Sequence, residues 1–271
     1  MKLSIGFIGC GNMGRAMMGG IIDSQIVKAE DIYVSDLFVP SLQRAKEDYG
    51  VNTTSNNKEV AEKVDVLFLS VKPNILSKVA EEIKGIVKKD AIIISIIAGK
   101  TIKDLEECFG DHFKIVRTMP NTPALVGEGM SAICPNKNVV QEEAELVTKI
   151  FSSFGKVEIL PESLINAFVS VSGSSPAYIF MLIEAMADAA VRDGIPRDKA
   201  YKIAAQAVLG SAKMVLETGK HPGQLKDMVC SPAGTTIEAV TVLEEQGFRN
   251  SIMKAMAACT DKCVRMSNEN K

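Results

Sequence analysis

Histidine is scarce in this chain. Its 271 residues hold only two, His112 and His221, set among ordinary loop and helix residues. Imidazole general-base chemistry is therefore poorly supplied. Paired thiols are also lacking. Cys10, Cys108, Cys134, Cys230, Cys259 and Cys263 are scattered along the chain. Cys259 and Cys263 share a helix face, but no second pair or nearby histidine completes a ligand set, so no metal site is expected. A surplus of one charge is missing too. The formal net charge is −2 and the pI about 5.9, which argues against nucleic acid or an anionic membrane as partner. No uncharged apolar run reaches membrane-spanning length; the best, residues 177–191, is broken by Glu184 and Asp188. The N-terminal "MKLSIGFIG" runs straight into a strand pattern without the apolar core and cleavage site of a leader. A cytoplasmic chain with reduced thiols is the expectation.

What is present is apolar patterning in two styles. Hydrophobic residues make up 46% of the chain, ample for one large domain or two modest ones. In the first half, "LSIGFI", "DIYVSD", "VDVLFLSV", "AIIISII" and "KIVRTMP" alternate with helical patterns. Continuous apolar runs suit strands buried on both faces of a parallel sheet, and the alternation predicts a doubly wound α/β domain. After Pro161 strand signals vanish and long Ala- and Met-rich helical patterns follow, divided by Gly and Pro. The predicted class is α/β: a Rossmann-type dinucleotide-binding domain over 1–161, then an all-α domain over 162–271. The helix of "SPAYIFMLIEAMADAAVRDG" is apolar nearly all round. It suits a dimer interface, or else the centre of a monomeric bundle.

"GFIGCGNMG" places Gly9, Gly11 and Gly14 in G-x-G-x-x-G spacing between the first strand and the first helix. The glycines permit a tight turn and close approach of backbone to a pyrophosphate at the helix start. Ile8, Asn12 and Met13 belong to the same stretch; the Cys10 and Asn12 side chains need no chemical role. Asp36 lies 22 residues past Gly14. There a carboxylate accepts from an adenine-ribose 2′-hydroxyl and repels a 2′-phosphate, leaning toward NADH. Alternatively Asp36 points away and Ser35 faces the ribose. Asn57 either touches the adenosine half or is a turn asparagine. "SVKP" (Ser70, Val71, Lys72, Pro73) and "IAGKT" (with Ala98 and Gly99) end two further strands, where ligands bind open α/β sheets. Far downstream, "SPAGTTIEAV" reads as the mouth of a helix whose N–H groups and hydroxyls suit a small anion.

"GFIGCGNMG", "VLFLSVKP", "AGKTI", "RTMPNTP", "SGSSPAY", "HPGQLKDMVCSPAGTTI" and "LEEQGFR", in order across nearly the whole chain, together resemble pyrroline-5-carboxylate reductase. The resemblance implies reduction of the ring imine of pyrroline-5-carboxylate to L-proline with NADPH or NADH, the last step of proline biosynthesis. It also implies a helical dimerisation domain, a homodimer, and in some members further assembly of dimers. Asp36 departs from the family, where many members carry a serine or another small polar residue. The resemblance makes the anion at "SPAGTTIEAV" the substrate carboxylate, held by Ser231 and the amides around Gly234, Thr235 and Thr236. Thr236 would hydrogen-bond the ring nitrogen as the catalytic residue; Thr235 reads rather as a cap. Asn121 and Thr122, in "MPNTP", are expected to pack over the nicotinamide and border the imine pocket, or to form a rigid domain-edge turn. Ser174 or Ser175 lies near the pocket or only caps the helix begun by Pro176. His221 reads as a capping or packing residue. The protonated imine is already electrophilic, so a strong enzymic acid is unnecessary, which agrees with the shortage of histidine. The rival readings are a hydroxyacid dehydrogenase or related imine reductase on the same architecture, and a dinucleotide-sensing protein without turnover.

Overall fold

The computed structural model describes residues 3–269. They form two compact units: residues up to Ser174 together with the segment from Cys259, and Ser175–Ala258. The first unit is built on an eight-stranded sheet of β1 (Ile5–Ile8), β2 (Ile32–Ser35), β3 (Asn52–Thr54), β4 (Val66–Leu69), β5 (Ile92–Ser95), β6 (Lys114–Met119), β7 (Gly129–Pro135) and β8 (Gly155–Ile159). The order is β3-β2-β1-β4-β5-β6-β7-β8. The strands from β3 to β6 are parallel; β7 runs antiparallel to β6 and β8 parallel to β7. The helices between them are α1 (Asn12–Asp23), α2 (Val39–Tyr49), α3 (Asn57–Lys63), α4 (Leu76–Ile83), α5 (Ile102–Phe109) and α6 (Gln141–Phe151).

The continuous apolar runs follow from burial on both faces. Along β1, β4 and β5 alternate side chains go to opposite sides. Ile5, Phe7, Val66, Phe68, Ile92 and Ile94 pack with Met17 and Ile21 of α1 and with Ile150 and Phe151 of α6. Ile8, Leu67, Leu69 and Ile93 pack with Val60 of α3, Val79 of α4 and Leu105 of α5. Phe7 and Phe68, in register on β1 and β4, stack with centroids 4.6 Å apart and planes 9° off parallel. Gly6 lets α3 come close: a Cβ there would meet Val60 at 2.7 Å and Val64 at 2.8 Å.

Three strands carry no apolar run and were not legible as strands. β3 is three polar residues on the sheet edge, β7 is rich in small residues, and β8 is largely exposed. After β8 the chain turns through α7 (Ile165–Phe168) and a π-helical segment, Val169–Gly173. The nearly buried Arg117 of β6 anchors this stretch, donating through Nη1 to Glu162 Oε1 at 2.9 Å; the same oxygen accepts from Ile102 N at 2.7 Å.

The second unit holds α8 (Ser175–Arg192), α9 (Arg197–Thr218), α10 (Pro222–Val229), α11 (Thr235–Glu245) and the start of α12 (Phe248–Glu269). Its buried apolar side chains are small or few: Ala187 of α8, Ala200 and Ala204 of α9, and Leu225 of α10. Arg197 of α9 pairs with Asp188 of α8. Large apolar side chains stand bare, including Phe180 at 62%, Met181 at 69% and Leu216 at 82% exposure. The helical stretch Glu162–Arg192 is long and apolar enough to cross a membrane by length and composition alone. It exceeds the run suggested by the sequence because the turns before α8 continue it.

Gly155 tests the sheet's far edge. A Cβ on it would lie 2.0 Å from the Gly129 carbonyl oxygen, backbone that cannot yield without breaking the β7–β8 pairing. Gly155→Ala is expected to lower unfolding free energy by about 3 kcal/mol, in the upper range of single substitutions, as read from urea denaturation.

Candidate active site

The site begins where β1, β2 and β4 end. Gly9 turns with φ at +101°, a region glycine enters without a Cβ penalty. Its N–H donates to Ser35 O at 2.8 Å, and a Cβ would stand 2.5 Å from Ser70 O. Ser70 Oγ donates to Gly9 O at 2.6 Å and lies 3.1 Å from Ile8 O. Gly14 fits beneath the turn, its notional Cβ 3.1 Å from Gly9 O. Gly11 caps α1 with no side-chain cap, and no atom lies within 4 Å of where its Cβ would be. The start of α1 is therefore neither capped nor covered by a side chain at Gly11, and uncapped helix starts of this kind receive phosphate oxygens.

A cleft of about 310 Å³ opens above these strand ends. Ile8, Gly9 and Gly11 line it from the end of β1 and the turn after it, Ser35 and Asp36 from the end of β2, and Ser70, Val71 and Lys72 from the segment after β4. The order in which strands are added reverses between β1 and β4, and ligands of doubly wound folds bind at such a point. Asn57 joins the lining and ties it to α4: Ser35 Oγ donates to Asn57 Oδ1 at 2.8 Å, and Asn57 Nδ2 donates to Glu82 Oε2 at 2.9 Å. The Asp36 carboxylate accepts from Cys10 N at 2.6 Å and from Phe38 N at 2.8 Å. Cys10, given no part by the sequence, therefore orients Asp36 through its amide.

The other expected cofactor residues lie around this cleft rather than in its lining. Asn12 Oδ1 accepts from Arg15 Nη2 at 3.1 Å, and Met13 packs on the core. Pro73 opens a short 3-10 turn. Ala98 is exposed after β5, and Gly99 turns with φ at +74° against Met266 of α12, 3.6 Å from its notional Cβ.

A second cluster joins "MPNTP" to "SGSSP". Buried Asn121 donates through Nδ2 to Ser172 O at 3.0 Å and Ser172 Oγ at 3.1 Å, and accepts at Oδ1 from Met130 N at 2.8 Å. Its amide is thus occupied within the protein. Neighbouring Thr122 is exposed at the start of a 3-10 turn. Ser174 Oγ accepts from Cys259 Sγ at 3.2 Å, and Ser175 begins α8. Sequence reasoning missed Ser172 and Cys259. Ser172 sits inside "SGSSPAY", but nothing local in the sequence marks Cys259 as the neighbour of Ser174.

In the helical unit, Gly234, not Thr235, holds the cap position of α11, and no side chain caps the helix. Thr235 and Thr236 are its first two residues, so the expectation of a Thr235 cap is corrected. Ala233 adopts φ +56°, and Gly234 N donates to Ser231 O at 3.0 Å. A Cβ on Gly234 would meet Ser231 Oγ at 2.3 Å, so the serine folds over the glycine. The opening N–H groups have no intrahelical acceptor. His221 caps α10, its Nδ1 accepting from Gly223 N at 3.1 Å. Among the described residues no three His, Cys, Asp or Glu side chains gather as a metal set.

A glycine turn at the reversal point of a doubly wound sheet, followed by a helical unit, defines a Rossmann-type dinucleotide-dependent protein. Residues 4–99 match a family model described as NADP oxidoreductase, coenzyme F420-dependent, and residues 162–266 one described as pyrroline-5-carboxylate reductase dimerisation. The pyrroline-5-carboxylate reductase of Escherichia coli K12 is 52% identical over 267 residues, 98% of this chain and 99% of the relative. The crystal structure of Plasmodium falciparum pyrroline carboxylate reductase with NADP bound superposes with a TM-score of 0.90 at 35% identity, covering 98% of this chain and 99% of that one. The Coxiella burnetii pyrroline-5-carboxylate reductase gives 0.91 at 36% identity, with coverages of 98% and 99%. The chain belongs to the pyrroline-5-carboxylate reductase family.

Two buried thiols make the fold's alkaline limit testable. Burial, then the Asp36 charge, pushes Cys10 up to about 11 from a usual 9.0. Burial likewise pushes Cys134 up to about 11, with Arg117 opposing. A group that ionises later when folded holds its proton more tightly in the native state. Its stabilisation is complete below the unfolded value and is lost as pH rises through the folded one. Urea stability should fall as pH climbs from about 9 to about 11. Replacing both cysteines with alanine should flatten that slope; an unchanged slope would show that other groups cause it.

Proposed function

We propose that the chain reduces the ring C=N bond of L-1-pyrroline-5-carboxylate to L-proline, the last step of proline biosynthesis. The observation that carries this reading is the end-to-end match to relatives named as that reductase. The glycine turn fits the cofactor: at Gly9 and Gly14 a side chain would meet the backbone of the turn and force it open, and at Gly11 it would enter the open space that a diphosphate needs. NADPH or NADH, when bound, supplies the hydride. The chain's own residues bind and orient. Gly9, Gly11 and the start of α1 take the diphosphate, while Asp36, Asn57 and Lys72 border the riboses, with Ala98 and Gly99 beyond.

In this reading Ser231, Gly234 and the amides of Thr235 and Thr236 hold the substrate carboxylate, and the Thr236 hydroxyl meets the ring nitrogen. Thr122, Ser174 and Ser175 border the substrate. Asn121 acts as a positioning residue, since its amide is occupied by Ser172 and Met130. The iminium carbon is already electrophilic and needs one hydride; the nitrogen needs orientation rather than a strong acid. Residues 1–161 serve the cofactor, and residues 162–271 the substrate and dimerisation. The bare apolar side chains of α8 and α9 are covered in a homodimer rather than by lipid, because Glu184 and Asp188 interrupt α8 where a membrane span would be apolar. Dimers assemble further where other surfaces allow. The enzyme works in the cytoplasm.

Oxidation of NADH and NADPH by the purified protein with pyrroline-5-carboxylate tests the reading; no oxidation of either would overturn it. Thr236→Ala should lower kcat on the order of 10–10³-fold, the scale of losing one positioned donor, and Thr236→Ser should recover most of it. Wild-type turnover by Thr236→Ala would remove this residue from the site. In analytical ultracentrifugation the chain should sediment as a dimer or larger. Phe180→Glu, at a side chain 62% exposed in the protomer, should shift it toward monomer, since a desolvated charge opposes association.

A further inference from the structure

We propose that Asp36 sets the cofactor choice: the cleft takes NADH, with its free adenine-ribose 2′-hydroxyl, in preference to NADPH. The proposal rests on the reductase reading above and deepens it, because family membership leaves the two cofactors undistinguished. Asp36 lines the cleft, and both of its oxygens are held by main-chain donors, Cys10 N at 2.6 Å and Phe38 N at 2.8 Å. The carboxylate is therefore fixed in place and cannot swing aside for a larger ligand. Each oxygen keeps a lone pair, so a ribose diol can still donate to it.

A 2′-phosphate meets the opposite situation. Phe38 is the cap residue of α2, so the start of that helix is where an anion would settle. The Asp36 carboxylate already occupies it. A second carboxylate, Glu82, stands one side chain further on, bound to Asn57. Residues 37–41 read Leu-Phe-Val-Pro-Ser and hold no cation. Among the cations of these elements, Arg15 of α1 bonds Asn12, Arg44 lies on the second turn of α2, and Lys72 lines the cleft from the β4 side. None follows β2 directly to neutralise a phosphate beside Asp36. The alternative in which Asp36 points away and Ser35 faces the ribose loses its basis, since the buried Ser35 hydroxyl donates to Asn57.

Equilibrium binding without substrate tests this directly. The chain has no tryptophan, so the anisotropy of reduced-nicotinamide fluorescence reports each cofactor cleanly. NADH is expected to bind roughly tenfold or more tightly than NADPH, the scale of one like-charge contact near water. Asp36→Asn keeps an acceptor for the Cys10 amide while removing the charge, and Asp36→Ser removes both charge and bulk. In both variants NADPH should tighten roughly tenfold relative to NADH. Equal or tighter NADPH binding by the unmodified protein would overturn the proposal, and so would a ratio that neither substitution moves. If neither dinucleotide binds, the reductase reading falls with it.

Discussion

β1, β2 and β4 end around Gly9, and the backbone there is closely packed. The Gly9 amide is given to Ser35, its carbonyl to the Ser70 hydroxyl, and a single added carbon would sit 2.5 Å from the Ser70 carbonyl. With one carbonyl satisfied and one amide spent, the polar groups left facing the cleft from this side are the N–H groups opening α1. That makes the turn electropositive without any lysine or arginine in it. The Cys10 amide, one residue on, points instead at Asp36 and fixes a carboxylate at the cleft's other end. A cleft with donors at one end and an acceptor at the other matches the polarity of a dinucleotide, whose diphosphate is an anion and whose ribose is a donor.

The substrate side works with equally little ionisable chemistry. A cyclic iminium needs its carbon presented to a hydride and its ring held, and neither demand calls for a group titrating near neutrality. The chain's two histidines are consistent with that economy. His221 caps α10, and His112 packs beside Phe113 with centroids 4.4 Å apart. Order is supplied by neutral hydrogen bonds instead. Asn121, Ser172 and Met130 form a closed set that ties the loop after β6 to the π-helical segment before α8. Closed polar sets of this kind are rigid because each member would leave a buried partner unsatisfied if it moved.

Strands buried on both faces announced themselves as apolar runs, so β1, β2, β4, β5 and β6 were legible, as was the glycine turn between β1 and α1. β3, β7 and β8 were hidden because their pairing rests on backbone bonds and close approach. The Gly129–Gly155 contact, for example, leaves no pattern in side-chain polarity. Within the site, residues adjacent in sequence were readable and residues adjacent only in space were not. Gly9, Gly11 and Asp36 follow from spacing, whereas the Cys10 amide on Asp36, Ser172 under Asn121 and Cys259 against Ser174 depend on folding. Thr235 was misplaced as a cap because its hydroxyl can accept from an opening N–H of the helix, a signal that glycine does not carry. Here Ser231 folds over residue 234 and leaves room only for a residue without Cβ.

The helical unit poses a different energetic problem from the sheet. Burial of large side chains sustains a fold at roughly 25 cal/mol per Å² of apolar surface. Between Ser175 and Ala258 the buried apolar residues are three alanines and one leucine. Such a core is too small to hold five helical segments in one arrangement. The surface that could stabilise them, with Phe180, Met181 and Leu216 among it, is exposed in the single chain. A second copy that covers this surface in the homodimer adds the burial that the single chain lacks, and the stability of these helices then rises with protomer concentration. Ser231, Gly234, Thr235 and Thr236 lie just before and at the start of α11, so the order of the proposed anion cradle is tied to the packing of this helix. If that cradle holds the substrate as proposed, binding and dimerisation draw on one equilibrium, and a substitution that weakens the second is expected to weaken the first.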